Sequence, residues 1–186
     1  ARHDRVKIAA PVDLADEAAV AAFYGEGPSL WASIHTAGGF AAHSITETAL
    51  ADFRKMIETN GVTCFLCCRE AIRRMRGAKA QSGGRIVNVA AKPAMIPTAG
   101  LSAYAASKAV VANLTLSLSE EVARDRIWVN AVVPSIMDTP ANRAAMPKAD
   151  FTKWPGVRDV ADTICFLASP QNTSTRGGLI PVYGQS

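Results

Sequence analysis

The chain has 186 residues, of which 49% are hydrophobic and 19% charged, and its formal net charge is +4. This size and composition predict one globular domain with a substantial core. The first residues carry charges and a proline where a secretory signal would be apolar, and no uncharged apolar run reaches the roughly 18 residues of a membrane helix. We therefore expect a cytoplasmic protein with no membrane partner.

Short apolar runs alternate with longer amphipathic stretches, which indicates repeated βα units around a parallel sheet. The predicted strands are 5–10, 30–37, 84–91, 127–134 and 179–184. The predicted helices are 15–25, 47–79, 103–125 and 157–169, and the second is long enough to be two helices that meet near 59–61. The fold class is therefore α/β, with a doubly wound parallel sheet.

Basic residues cluster at 69–79, near the end of the second predicted helix. The helix dipole favours cations there, so we interpret the cluster as a solvated helix terminus and predict no nucleic-acid partner.

Three of the four cysteines fall in the apolar segment 64–68, and buried reduced thiols are expected. His3, His35 and His43 do not supply a second ligand cluster at a spacing typical of zinc sites, so no metal is predicted.

Three predicted strands end in distinctive motifs, which are TAGGF at 36–40, VAAK at 89–92 and VVPSIMDT at 132–139. In open parallel sheets the ligand lies at the carboxyl ends of the strands, so these motifs predict one shared crevice. The long segment 135–156 follows the last motif, and loops of that length inside a domain are often functional. We interpret it as a substrate loop.

Tyr104 and Lys108 are four residues apart, so a helix places both side chains on one face. A nearby ammonium is expected to lower the pKa of the phenol from about 10 and to make it a better general acid or base. Taken alone, this pair is also compatible with an ordinary amphipathic helix.

The context of this pair resembles the short-chain dehydrogenase/reductase family over essentially the whole chain. The shared segments are HTAGG, MIETNGVTCFL, GGRIVNV, YAASKAVVANLTLSLSEEVA and RIWVNAVVPSIMDT. The resemblance implies a Rossmann-type sheet, NAD or NADP as cofactor, a small-molecule substrate and a homodimer or homotetramer. It also implies that Tyr104 exchanges a proton with the substrate, that Lys108 binds the nicotinamide ribose, and that Asn60 holds a water in the proton relay.

The same resemblance implies a set of cofactor-binding residues. Residues 13–14 are similar to the adenine-contacting pair, 36–38 to the station beside the adenosine ribose, and 134–139 to the segment that holds the nicotinamide carboxamide. Together with Tyr104 and Lys108, the implied set is Asp13, Leu14, Thr36, Ala37, Gly38, Pro134, Ile136 and Thr139. Thr36 stands where the family has Asn, and Ser135 where it usually has Gly.

Two larger departures from the family pattern stand out. The opening strand, its Gly-rich turn and the strand that reads the adenosine 2′ position are not found, so we expect the 186 residues to be the C-terminal part of a longer chain. The choice between NAD and NADP therefore stays open. Ala91 stands where the family usually has a serine that donates to the substrate oxygen, and losing such a donor typically costs about 100-fold or more in rate.

One branch of the family, the dihydropteridine reductases, lacks that serine. The motifs AAK at 90–92 and MDTPANRAAMPKADFTKW at 137–154 resemble this branch, whereas Asn60 and Asn88 follow the broader family. The branch resemblance implies a substrate pocket formed by Ala91, Lys92, Phe151 and Trp154.

The leading hypothesis is an NAD(P)H-dependent reductase of a conjugated C=N or C=O acceptor, with a quinonoid dihydropteridine as a candidate. A general carbonyl reductase or alcohol dehydrogenase is the first alternative. A non-catalytic scaffold that keeps the fold is the second.

Overall fold

A computed structural model describes residues 8–26, 29–77 and 83–186 of the chain. Its described strands form one parallel sheet in the order β1-β2-β3-β4, and they span Ala32–His35, Gly84–Val89, Ile127–Pro134 and Leu179–Val182. All four lie inside predicted strands, and β3 matches its prediction residue for residue. The predicted strand 5–10 falls largely outside the described residues, and 8–10 carry no regular structure.

The helices flank this sheet on both faces, which confirms the α/β class. Their bounds are α1 Glu17–Gly25, α2 Leu50–Met56, α3 Thr63–Arg76, α4 Lys92–Met95, α5 Ser102–Glu121, α6 Pro140–Ala145 and α7 Val157–Ala168. Helices α3 and α5 pack with the sheet into the largest apolar core, and α7 builds a second core with residues of β2 and β3. No helix among the described residues has the length and apolar character needed to span a bilayer.

The connection between α2 and α3 differs from the two-helix prediction. The helix does not break near 59–61 but continues through a π-helical segment, Ile57–Val62, directly into α3. Such segments contain an extra residue per turn and occur often at functional sites. Here the segment contains Asn60, which is 1% exposed.

Strand β1 forms the edge of the described sheet. Strands β2 and β3 are almost wholly buried, whereas β1 leaves Ile34 44% exposed. Within the described residues, β1 pairs only with β2.

The basic run and the cysteines lie close to where they were predicted. Helix α3 carries Arg73, Arg74 and Arg76 in its last turn, consistent with the helix-terminus interpretation. The thiols of residues 64, 67 and 68 are buried and reduced, but that of Cys165 on α7 is exposed.

Candidate active site

The carboxyl ends of β1, β2 and β3 lie side by side, because these three strands are parallel neighbours. The three distinctive motifs of the sequence therefore share one edge of the sheet. Helix α5 begins at this edge and presents Tyr104 and Lys108 from successive turns.

Lys108 is buried, with 6% of its surface exposed, and its Nζ donates a hydrogen bond of 2.8 Å to the carbonyl of Val89 at the end of β2. The side chain is thus held against the sheet edge. Within the described residues, Lys108 forms no ion pair.

Asn60 connects three elements through its side-chain amide. Its Oδ1 accepts a bond of 2.9 Å from Gly39 N, and its Nδ2 donates to Gly39 O at 3.1 Å and to Ser107 Oγ at 2.9 Å. Ser107 in turn donates to the carbonyl of Tyr104 at 2.7 Å. The π-helical segment, the loop after β1 and the first turns of α5 are fixed to one another by this network.

The glycines after β1 make this network possible. A Cβ on Gly38 would lie 2.6 Å from Asn60 Oδ1 and 3.2 Å from Lys108 Nζ, and a Cβ on Gly39 would lie 3.2 Å from Thr59 Cγ2. The structure thus gives the space beside these glycines to protein side chains, where the sequence suggested close approach by a ligand.

The expectation of a lowered tyrosine pKa is wrong for this chain. Burial raises the pKa of Tyr104 above its usual value, and burial also lowers the pKa of Lys108. The lysine points its ammonium at the carbonyl of Val89, so desolvation dominates both groups. Each shift favours the uncharged form of its side chain.

A cavity of about 320 Å³ opens between the β1 edge, α1 and α3. It is lined by five of the residues implied for catalysis or cofactor binding, which are Leu14, Thr36, Ala37, Asn60 and Lys108.

The other implied cofactor residues do not line this cavity. Asp13 is exposed and its carboxylate accepts a bond from Ala15 N at 2.9 Å. Pro134, Ile136 and Thr139 lie at the end of β3, where Thr139 caps α6 by accepting from Asn142 N at 3.2 Å. Ser135, in the place of the family's glycine, bonds to Tyr183 O and Ser186 Oγ and so ties β3 to the last residues of the chain.

Two of the implied substrate residues, Ala91 and Lys92, follow the end of β2. Ala91 has a methyl group, and Lys92 places a cation close to an aromatic ring. Ala91 is 4% exposed and precedes α4, and Lys92 Nζ lies 5.0 Å from the centre of the Tyr183 ring. Phe40 contacts Tyr104 edge to face, with ring centres 4.9 Å apart, although 66% of its surface is exposed. Phe40 is the last residue of the motif TAGGF that was predicted to lie at the crevice, whereas no sequence signal singled out Tyr183.

The segment 135–156 is ordered by its own contacts. Phe151 and Trp154 pack with ring centres 5.0 Å apart, and the guanidinium of Arg143 lies 5.0 Å from the Phe151 ring. Arg143 also forms a two-pronged ion pair with Asp138, at 2.6 and 2.7 Å, and this hydrogen bonding lowers the pKa of Asp138. The segment thus folds against the strand ends around α6.

The site fits the nicotinamide half of NAD(P) in the donors that it offers. The Lys108 ammonium is a buried donor that lines the cavity, and Thr36 and Ala37, which are implied to lie beside the adenosine ribose, line it as well. A Gly-rich turn that would hold the pyrophosphate is not present in the sequence. Lys108 would hold the nicotinamide ribose, and Leu14, Thr36 and Ala37 would border the adenosine part.

Comparisons with known proteins show the family of this chain. The family model described as short chain dehydrogenase matches residues 2–150. The chain is 32% identical over 187 residues to the uncharacterized oxidoreductase YgfF of Escherichia coli (strain K12), covering 92% of this chain and 76% of that protein. It is 36% identical over 148 residues to the cis-4-hydroxycyclohexanecarboxylate dehydrogenase of Sinomonas cyclohexanicum, covering 74% and 57%.

A solved structure is also similar. The chain superposes on the structure titled "ElxO with NADP Bound" with a TM-score of 0.82 and 26% identity, covering 93% of this chain and 75% of that one. Across four curated relatives, the chain spans between 54% and 76% of the relative's length.

The substitution Gly38→Ala should disturb Asn60 and Lys108 together, because the new methyl meets both side chains. Displacements of about 1 Å at a catalytic group can cost 10²-fold in rate, and we expect a loss of about that size in kcat/KM with little change in melting temperature. The check is steady-state kinetics with circular dichroism of the same samples. Gly25→Ala is the control, because a Cβ there meets no atom within 4 Å. An active Gly38→Ala protein would show that this network does not set the geometry of the site.

Proposed function

The chain belongs to the short-chain dehydrogenase family, and we propose that it moves hydride between NAD(P)H and a conjugated C=N or C=O acceptor. The observation that carries the proposal is the placement of Tyr104 and Lys108 on α5 at the strand ends, with Asn60 bonded to the same turn of that helix. The phenol of Tyr104, supported by the ammonium of Lys108 and the amide of Asn60, can deliver a proton to a reduced acceptor.

Each residue has a separate task in this proposal. The bound nicotinamide supplies or accepts the hydride, which no side chain of the protein can do. Lys108, held by Val89 O, would hydrogen-bond the ribose of the bound cofactor. Tyr104 donates its proton to the acceptor, although burial raises its pKa and makes it a weaker acid than a phenol in water. Asn60 fixes the loop after β1 and the first turns of α5 around the reacting atoms.

The surroundings of Tyr104 support a planar conjugated acceptor. Ala91 offers a methyl where a serine would donate a hydrogen bond, so the acceptor must be reactive without that donor. Phe40, which is 66% exposed, contacts Tyr104, and Lys92 adds a cation that lies against the ring of Tyr183. A quinonoid dihydropteridine is planar and electron-poor and has its own hydrogen-bonding edge, so it is our candidate substrate.

A general alcohol dehydrogenase or carbonyl reductase is the second candidate. It is supported by the similarity to a protein named for the oxidation of a hydroxycyclohexane carboxylate. In that case the enzyme would tolerate the lack of a serine hydroxyl at Ala91, and it would reduce simple ketones slowly.

We also propose that two copies of the chain associate through α3 and α5. The π segment and α3 expose Val62 and Phe65, and α5 exposes Val110 and Leu116, each to between 36% and 44%. Apolar side chains of this size on two neighbouring helices favour a helix-to-helix interface.

Replacing Tyr104 with Phe removes the proton donor and leaves the ring contact with Phe40. We expect turnover to fall by about 10²-fold to 10⁴-fold while NAD(P)H binding, followed by cofactor fluorescence, is retained. Full turnover in the variant would rule out Tyr104 as the acid. A wild-type protein that binds cofactor and reduces no acceptor would instead favour a scaffold.

The substitution Ala91→Ser distinguishes the two candidate reactions. With a conjugated acceptor as the natural substrate, the wild type should reduce quinonoid dihydropteridine faster than a simple ketone, and the added hydroxyl should not raise the pteridine rate. A general carbonyl reductase should show the opposite preference, with ketone turnover rising by up to about 10²-fold in the variant. Both acceptors are assayed with NADH and with NADPH. Ala94→Ser, on the adjoining helix α4, controls for an added hydroxyl outside the predicted pocket.

The variant Phe65→Glu places a charge in the centre of the proposed interface. We expect sedimentation at micromolar concentration to show a dimer or tetramer for the wild type and a smaller species for the variant. Ile45→Glu is the matched control, because Ile45 is 73% exposed but lies outside α3 and α5. A monomeric wild type would contradict the proposal.

A further inference from the structure

Three soft or borderline metal ligands meet beneath β1, on the side of the sheet covered by α3. His35 Nδ1, Cys64 Sγ and Cys68 Sγ all lie within 4.8 Å of one another. Cys64 and Cys68 come from successive turns of α3, and His35 is the last residue of β1. None of these side chains has a part in the reaction proposed above.

We propose that His35, Cys64 and Cys68 bind one thiophilic divalent ion of the zinc type. Two of the three separations between their atoms already agree with a tetrahedral site, and the third is below 4.8 Å. With Zn–S near 2.3 Å and Zn–N near 2.0–2.1 Å, tetrahedral geometry requires about 3.8 Å between two sulfurs and about 3.6 Å between sulfur and nitrogen. The observed distances are 4.0 Å from Cys64 Sγ to Cys68 Sγ and 3.6 Å from Cys68 Sγ to His35 Nδ1.

The side-chain oxygen of Asn88 borders the three ligands and can take the fourth position if it moves from 2.8 Å to about 3.4 Å from His35 Nδ1. Its Oδ1 lies 2.8 Å from His35 Nδ1 and 3.5 Å from Cys68 Sγ. The orientation of this amide is fixed, because Nδ2 donates to Thr115 Oγ1 at 2.9 Å and that hydroxyl itself donates to Val111 O. The carbonyl oxygen of Asn88 must therefore face the three ligands.

The protons of the metal-free cluster can rearrange to admit the ion. Asn88 Oδ1 only accepts, so in the metal-free protein His35 carries its proton on Nδ1. When the metal takes Nδ1, the proton moves to Nε2, which lies 2.8 Å from Ser33 Oγ, a hydroxyl that can accept it. Tyr24 OH lies 2.8 Å from the same Ser33 oxygen and completes the outer hydrogen-bond chain. Metal-binding histidines are commonly oriented by such a partner on the second nitrogen.

Charge and access also suit a metal ion. Two thiols that release their protons neutralise a divalent cation, so the occupied site buries no net charge. Cys64 and Cys68 are 5% and 0% exposed, but His35 and Cys64 line the cavity of about 320 Å³, through which an ion can enter.

The test is titration of the purified protein, reduced and freed of metal, with Co²⁺ as the probe. We expect saturation at one equivalent, with a thiolate-to-cobalt charge-transfer band and visible absorption typical of tetrahedral cobalt, and displacement of both by Zn²⁺. Cys64→Ser and Cys68→Ser should lose the band. Ser33→Ala should keep it with affinity lowered by about 10-fold or more, as expected for an outer hydrogen-bond partner.

Two other cysteines serve as matched controls. Cys165→Ser removes an exposed thiol on α7, and Cys67→Ser removes a buried thiol that packs with Val20 and Leu66 against α1. Both variants should keep the cobalt band. Loss of the band in Cys165→Ser, or its persistence in Cys64→Ser, would overturn the assignment.

A measurement on the wild type alone covers the case in which the cysteine variants do not fold. X-ray absorption of the zinc-loaded protein should show two sulfur ligands near 2.3 Å and nitrogen or oxygen ligands near 2.0–2.1 Å. A shell without sulfur, or no saturable binding of either Co²⁺ or Zn²⁺, would show that the cluster is only a hydrogen-bonded part of the core.

Discussion

The side chain of Asn60 is the contact on which the geometry of the candidate site depends. It joins the loop after β1 to the first turns of α5 through three hydrogen bonds, all between 2.9 and 3.1 Å. A buried amide that uses both its oxygen and its nitrogen in this way leaves little freedom to either partner. The π-helical segment delivers the amide to that position, and the lack of a side chain on Gly38 leaves room for it.

Desolvation is the second constraint on the site. Tyr104 and Lys108 lie close to the sheet edge, and burial shifts the pKa of each towards its uncharged form. For a proton donor the raised pKa is a cost, because it makes the phenol a weaker acid. For the lysine burial means that the ammonium depends on acceptors such as Val89 O to stay charged, so this backbone contact contributes to the electrostatics of the site as well as to its geometry.

The sequence predicts the sheet well because the relevant signals are local. Strand β3 lies in a continuous apolar run between turn residues, and its bounds were predicted without error. The π segment was not predictable, because its register depends on how Asn60 meets Gly39 and Ser107.

The direction of the Tyr104 pKa shift was predicted wrongly because spacing places Lys108 on the same helix face but does not say which atom its ammonium contacts. The substrate residues 91 and 92 were found from a motif, whereas Phe40 meets Tyr104 across 64 positions of sequence.

The continuous helix formed by the π segment and α3 contributes residues to two polar clusters. One is the hydrogen-bond network of Asn60, and the other is the group of His35, Cys64 and Cys68. Cys64 and Cys68 are spaced by four, a spacing that drifts by only about 40° on an α-helix, and Asn60 precedes them in the π-helical segment. All three side chains are buried. Asn60 meets the loop after β1, while Cys64 and Cys68 meet His35 and Asn88 one and two turns further on. Around them the face of α3 is apolar and closely packed. A rotation of this helix would therefore move the Asn60 amide and the two thiols together. The positions of the two clusters are linked because one helix carries both.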